Sequence, residues 1–397
     1  MSFLDTLRAA FKGGGANHVP LARNFTSPWY FANDPAGARQ PFDYTRDVAR
    51  AFLDNPVAQR AVRIVSESLG NAPLAPMTPQ VERLVRATSA GQSLLETLTA
   101  QLLLHGNAYI HVIRDGAGVP VELFALRPDR ITVEPGPNGW PVAWRYTVGE
   151  KVTTLRLEDE DGWPQVIHVK GFHPIDDHFG AGCLTAAAPA VAIHNAAAAW
   201  NRALLENAAR PSGALVYDGP ADAGGLTGEQ FDRLKGELAQ AYAGGANAGR
   251  PMLLEGGLKW QSLSLSPADM DFAELKAAAA RDIALAFGVP PMLLGLPGDA
   301  TYANYREANR ALWRLTLLPM GAKILAAVAE GLAAWFPDTT LAFDLDRIPA
   351  LADDREKLWG QVTAADFLTP DEKRALLALP PAPPLSRQTQ APTKGQP

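Results

Sequence analysis

His168, His173, His178 and Cys183 recur at intervals of five residues, with Asp176 and Asp177 between them. Imidazole, thiolate and carboxylate groups are zinc ligands, and a bound zinc would bring hydrolytic chemistry. The interval argues against that reading. Five residues neither stack ligands on one helix face, as four would, nor form a tight knuckle, and His168 falls in a stretch that reads as a strand. A metal-dependent hydrolase is therefore the weaker reading of this run, and no cofactor is expected. The chain has no G-x-S-x-G elbow to present a nucleophilic serine, and no G-x-x-x-x-G-K-[ST] loop to cradle nucleotide phosphates. Cys183 is the single cysteine. It excludes an intrachain disulfide framework, reads as a small core or helix-start residue, and fits a reducing cytoplasm.

A second set of residues is cationic. Arg306, Arg310 and Arg314 stand four apart, so they share one face of any helix that carries them. Graded phosphate contacts and a solvated or intersubunit salt-bridging face are both open readings. The formal net charge of -6 argues against a protein that clings to nucleic acid, because such affinity comes from lysine and arginine displacing counterions. Any DNA contact should be loose.

The elements that position these residues follow from pattern and punctuation. With 397 residues, 47% of them hydrophobic, the chain can bury two or three compact regions. Residues 1–40 are rich in Gly, Pro, Asn and Ala and read as a flexible arm; Phe3 to Phe11 is a short amphipathic stretch interrupted by Asp5, Arg8 and Lys12, unlike a secretion signal. No run of about 18 apolar residues escapes a charge or a breaker, so no membrane span is expected. Asn55 and Pro56 open a helix that runs to Gly70. Ser93 with Glu96 opens another, closed by Gly106. Strands are predicted over 108–113, 121–126, 131–134, 142–148 and 166–169, which makes 41–182 an α+β region. Alanine then dominates from Leu184 to Ala209, predicting a closely packed helix with Pro189 in its first turn or at a kink. A strand at 214–217, a helix opened by Thr227 and apolar stretches near 252–265 suggest a small α/β insertion. Ser266, Pro267 and Asp269 start a helix that Gly288, Pro290 and Pro291 stop. A helical pattern then extends from about Tyr302 to Phe336, roughly 50 Å long, with a kink predicted around Pro319. A strand over 340–345, a terminal helical pair and a disordered proline-rich tail complete the chain.

This order of elements resembles the portal proteins of tailed bacteriophages and phage-like gene transfer agents, and several strings carry the resemblance. GNAYIHV (106–112) and LRPDRITV (126–133) are similar to that family's wing strands. IHVKGFHPIDDHFGAGCL (167–184) is similar to its approach to the stem. FGVPPMLLG (287–295) followed by TYANYREANRALW is its most characteristic stretch. The resemblance implies an α+β portal fold: flexible arm 1–40, wing 41–182, outgoing stem helix 183–210, clip 211–266, returning stem helix 267–289, tunnel loop 290–300, long kinked helix 301–336, short crown 337–379 and disordered tail 380–397. It implies a closed ring of about twelve copies at one capsid vertex. Through that ring double-stranded DNA would be packaged and ejected, the clip receiving the terminase large subunit and then the head-tail adaptor, beside the major capsid protein. Leu293, Leu294, Leu296, Asp299, Arg306 and Arg310 are the implied channel residues. Glu229, Asp232, Glu237 and Glu255 are implied docking acids of the clip. The implied place is the virion, after assembly in the bacterial cytoplasm, with no membrane and no enzymatic activity. A structural ring or adaptor without a packaging role is the alternative.

Overall fold

The computed structural model describes residues 42–89, 91–159, 162–206, 213–217, 258–262, 272–296 and 301–379, with Glu229, Asp232, Arg233 and Gly236. The chain divides into two compact units. One holds the residues before Ala72 together with Met77–Leu341; the other joins Ala72–Pro76 to the residues from Ala342 onward.

In the larger unit α1 (Tyr44–Val48) runs into a π turn over Ala49–Leu53, followed by α2 (Pro56–Gly70). The Asn55 side chain accepts from the Val57 and Ala58 amides at 3.1 and 3.0 Å, satisfying donors that a helix start leaves unpaired. Ala58, Ala61, Val62, Val65 and Leu69 form its buried stripe. A short helix α3 (Pro79–Val85) and two-residue strands β1 (Thr88–Ser89) and β2 (Gln92–Ser93) precede α4 (Leu94–His105). Ser93 Oγ accepts from the Glu96 amide, as the sequence pattern predicts, and Gly106 ends the helix at φ +83°, where a side chain would be strained.

Two antiparallel sheets follow. The first has the order β4-β3-β8, from β3 (Asn107–Arg114), β4 (Pro120–Leu126) and β8 (Val166–Lys170). The second is β5-β6-β7, from β5 (Ile131–Pro135), β6 (Pro141–Val148) and β7 (Lys151–Arg156). Alternation sends Tyr109, Leu126, Ile131, Trp144, Leu155 and Val166 into one cluster shared by both sheets. β7 was not legible in the sequence. Of its side chains only Leu155 is buried, so it lacks the alternating apolar pattern that marks a half-buried strand.

The helical part comprises α5 (Cys183–Glu206), α6 (Phe272–Ala286), α7 (Tyr302–Leu312) and α8 (Leu318–Leu332). Strands β9 (Gly213–Tyr217) and β10 (Leu258–Ser262) pair antiparallel between α5 and α6 in sequence. Pro189 lies inside α5, in its second turn, and the helix continues through it. The predicted helix start at Ser266, Pro267 and Asp269 lies outside the described residues, as do most of the insertion helix and both chain ends.

A π turn over Trp313–Leu317 joins α7 and α8, with the Leu318 amide donating to the Trp313 carbonyl. The predicted interruption is thus a widened turn just before Pro319. Without an N–H, and with a ring that crowds the carbonyl four residues back, that proline is easier to seat after a wide turn. By length and composition alone Tyr302–Leu332 is long and apolar enough to cross a bilayer. Its Ile324, Leu325, Val328 and Leu332 stripe is instead buried, and α8 packs on α4 and β8. Gly331 sits where a Cβ would strike the Ile167 side chain, so helix and sheet approach closely there.

In the smaller unit the strand expected over 340–345 is reduced to one bridge, Leu74 with Phe343, flanked by bonds from Ala75 N–H to Ala342 O and Asp344 N–H to Pro73 O. Pro73 and Pro76 supply no donors, so a longer ladder cannot form. The expected helical pair is present as α9 (Ala352–Ala364) and α10 (Pro370–Leu376). Arg355 ties it together through Asp346 at 2.5 Å and the Leu377 carbonyl at 3.0 Å.

Candidate functional site

The candidate channel segment begins where α6 stops. Ala279, Ala280, Ile283 and Ala284 on α6 are buried, as are Ala187, Ala190, Val191 and Ala197 on α5, and the two helices pack together. Small residues on both faces let the axes approach. The α6 end is fixed by buried Phe287 and Val289 around Gly288, which adopts φ +66°. Thr316 Oγ1, in the π turn, donates to the Gly288 carbonyl at 2.6 Å. The end of α6 is thereby pinned to the middle of the long helix.

Pro290 and Pro291 then prevent helix and start a 3-10 turn over Pro291–Leu294, closed by Gly295 at φ +74°. Leu293, Leu294 and Leu296 are all half-buried in the subunit, and Asp299 lies outside the described residues. Thr301 caps α7, accepting from the Asn304 amide at 3.2 Å. The first turns of α7 stand clear of the subunit: Tyr302 is 83% exposed, Tyr305 and Arg306 are exposed, and Arg310 is half-buried in an ion pair with Glu307. Arg314 is exposed within the π turn. A π turn holds an extra residue, so the strict four-residue stacking read from sequence applies to Arg306 and Arg310 but not to Arg314. Glu229 and Asp232 are exposed helical positions; Glu237 and Glu255 lie outside the described residues.

Two histidines of the run, His168 and His173, have structural partners, whereas buried His178 has none for either ring nitrogen among the described residues. His168 stacks on Tyr109, centroids 4.4 Å apart, and its Nε2–H donates to Asn107 Oδ1 at 3.0 Å. His173 Nδ1 accepts from the Ile175 amide at 3.2 Å, within its own turn. Among the described residues no group of three or more His, Cys, Asp or Glu side chains is arranged to hold a metal ion.

Sequence reasoning missed what surrounds His168. Asn107, buried, donates to the Gly180 carbonyl at 3.2 Å and accepts from the Gly180 amide at 2.7 Å, and its Nδ2 lies 3.1 Å from His105 Nδ1. Around it the backbones of Gly106, Gly171, Gly180 and Ala181 close so tightly that a Cβ on Gly106 or Gly180 would collide with backbone atoms. This joint fixes β3 and β8 to the loop that delivers α5. Burial holds both imidazoles neutral: the His105 pKa falls to about 4, Asp129 opposing, and the His168 pKa to about 3, helped by Lys170 and His105. The signal available was the glycine spacing in GNAYIHV and HFGAGCL, which marks close backbone approach.

Two antiparallel sheets, two packed Ala-rich helices, a proline-bearing loop and a long interrupted helix together make a mixed α+β fold. The phage portal protein family model matches residues 56–377, and the chain belongs to that family. A curated protein of Rickettsia felis (strain ATCC VR-1525 / URRWXCal2), an uncharacterised one, is 37% identical over 349 residues, covering 83% of this chain and 88% of that one. A chain from the virion of a native gene transfer agent particle is 49% identical with a TM-score of 0.65, covering 86% of this chain and 95% of its own. A chain from the neck of such a native particle, computed with C12 symmetry, is 48% identical with a TM-score of 0.65, covering 90% and 99%.

Proposed function

We propose that this chain is the portal subunit at the neck of a phage or gene transfer agent particle, where about twelve copies close into a ring through which double-stranded DNA is packaged and ejected. The observation that carries this reading is the near full-length match, at 48% identity, to a chain of a neck with C12 symmetry. The loop from Pro290 to Ala300 and the exposed start of α7 would face the channel, with Leu293, Leu294, Leu296, Asp299, Arg306 and Arg310 nearest the duplex. The segment between α5 and α6 would be the clip, its acids docking the terminase large subunit and later the head-tail adaptor. The crown would be the short region after Pro337, and assembly would take place in the bacterial cytoplasm beside the major capsid protein.

Charge supports a sliding contact. Each copy carries a formal -6, so a ring of copies repels the duplex as a whole and keeps phosphate contacts weak. No chemistry is asked of the chain itself; the work of translocation falls to the partner motor. Electron microscopy and native mass measurement of the purified protein test the reading: wide-bored rings of about twelve copies are expected. A species that stays monomeric at high concentration and inside the particle would overturn it.

A further inference from the structure

β7 is the last strand of its sheet, with β6 on one side only. The register with β6, and the bond from Leu157 N–H to the Val142 carbonyl that continues it, turn the backbone groups of Lys151, Thr153 and Leu155 toward β6. Those of Val152, Thr154 and Arg156 therefore point outward. The Arg156 N–H donates to Gln165 Oε1 at 2.9 Å. Val152 and Thr154 are exposed, and among the described residues nothing pairs with their outward N–H and C=O groups. A bare edge is commonly blunted by a bulge, a proline, a charge or a covering segment. β7 keeps its register throughout, and its sequence KVTTLR has no proline and three β-branched residues in it, so charge is its one safeguard. Beside the edge lies an open cleft of about 780 Å³, with Thr154 and Leu155 on one side and the end of β3 with its hairpin turn, Gly116–Gly118, on the other. An added strand would have room there for its side chains.

Charge selects what fits. On the outer face of the sheet Arg145 stands directly across from Thr154, and Arg156 lies two residues along β7 on the same face. Both are exposed, and neither guanidinium has a hydrogen bond or ion pair among the described residues. The acids that line the cleft are engaged: Asp159 pairs with Arg114 at 2.5 Å, and Asp115 Oδ1 accepts from the Ala117 and Val119 amides. Glu134 shares the outer face but stands on β5, with Ala143 between it and Arg156, while Glu150 and Glu158 lie beyond the two ends of β7. A carboxylate opposite Thr154 would thus fall between two unpaired guanidiniums, in a cross-strand position where opposite charges attract.

We propose that the outer edge of β7 takes an extended, acidic segment of a partner protein as a further strand, held by the backbone of Val152 and Thr154 and by Arg145 and Arg156. The probe is a short fluorescein-labelled peptide alternating glutamate and valine, titrated into the full chain and followed by anisotropy. Thr154→Pro removes an outward N–H without touching the ladder to β6, and should weaken binding about tenfold or more. Arg145→Ala with Arg156→Ala should weaken it about fivefold or more, and a peptide with lysine in place of glutamate should not bind. Methylating the peptide nitrogens at every second residue tests the edge without altering the protein: one alternation should abolish binding and the other spare it. No binding to the unmodified chain, full binding by Thr154→Pro, or equal effects of the two methylated peptides would overturn the proposal. Binding that depends on the arginines alone would also overturn it, marking a plain anion or nucleic-acid surface. A change in copy number on Thr154→Pro would overturn it too, by giving the edge to a neighbouring copy.

Discussion

Asn107 shows how one side chain can set the geometry of a joint. It bonds both backbone groups of Gly180, away from water, and one nitrogen each of the half-buried His105 and His168. Asn107→Ala strands those groups, and the expected loss is about 2–4 kcal/mol, read from denaturant midpoints. The two imidazoles also set an acid limit. Their folded pKa values, about 4 and about 3, lie below the usual 6.5. The unfolded chain therefore binds more protons over that window: the stability each ring contributes is full above about pH 6.5 and is lost as pH falls toward the folded value, by about 1.4 kcal/mol per unit per ring. Unfolding measured at pH 7, 6 and 5 should show this slope, and His168→Gln, which keeps a donor for Asn107, should reduce it by one proton's worth. An unchanged slope would mean that His168 is charged in the folded protein.

At the scale of elements, the α6 end, the loop and the long helix behave as one piece through Gly288 and Thr316. A Cβ at Gly288 would lie 2.8 Å from Thr316 Oγ1, and the backbone there is left-handed. Gly288→Ala should cost about 1–2 kcal/mol, and Thr316→Val about 1, with the double variant less destabilised than the sum because the two changes share one contact. Leu296→Ala with Asp299→Ala should impair DNA packaging in particles while rings still form; loss of rings would make the loop a structural part. These elements were the most legible in the sequence. Asn55 and Pro56, Ser93 and Glu96, and Gly288 with two prolines are local signals whose physics acts over a few residues. The Asn107 joint was not legible, because its partners other than His105 lie 61 to 73 residues away and only the fold brings them together. The strand expected over 340–345 failed for a similar reason, since its partner segment is a proline-bounded stub near residue 74.

At the scale of the whole molecule, the subunit leaves large apolar side chains in water. Leu285 is 79% exposed and Leu315 77%, in addition to Tyr302 at the start of α7. Each lies in or beside a segment whose other side chains are packed, and contact with further copies is what would cover them. Leu285→Asp and Leu315→Asp should therefore shift purified protein from rings toward monomers without changing its circular dichroism. Native mass measurement decides this: rings that persist unchanged would place both leucines outside the intersubunit contacts. Family membership was readable from the order of elements and a few strings. The number of copies was not, because ring closure depends on angles between subunits that no single chain encodes in a local pattern.

The π turn between α7 and α8 carries one residue in excess of the regular helix on either side. Removing that surplus would rotate Tyr302–Leu312 by about 100° around the helix axis relative to the half anchored on α4 and β8. The Thr316 hydroxyl sits inside the surplus and grips Gly288, so a single hydrogen bond sets the azimuth at which Arg306 and Arg310 are presented.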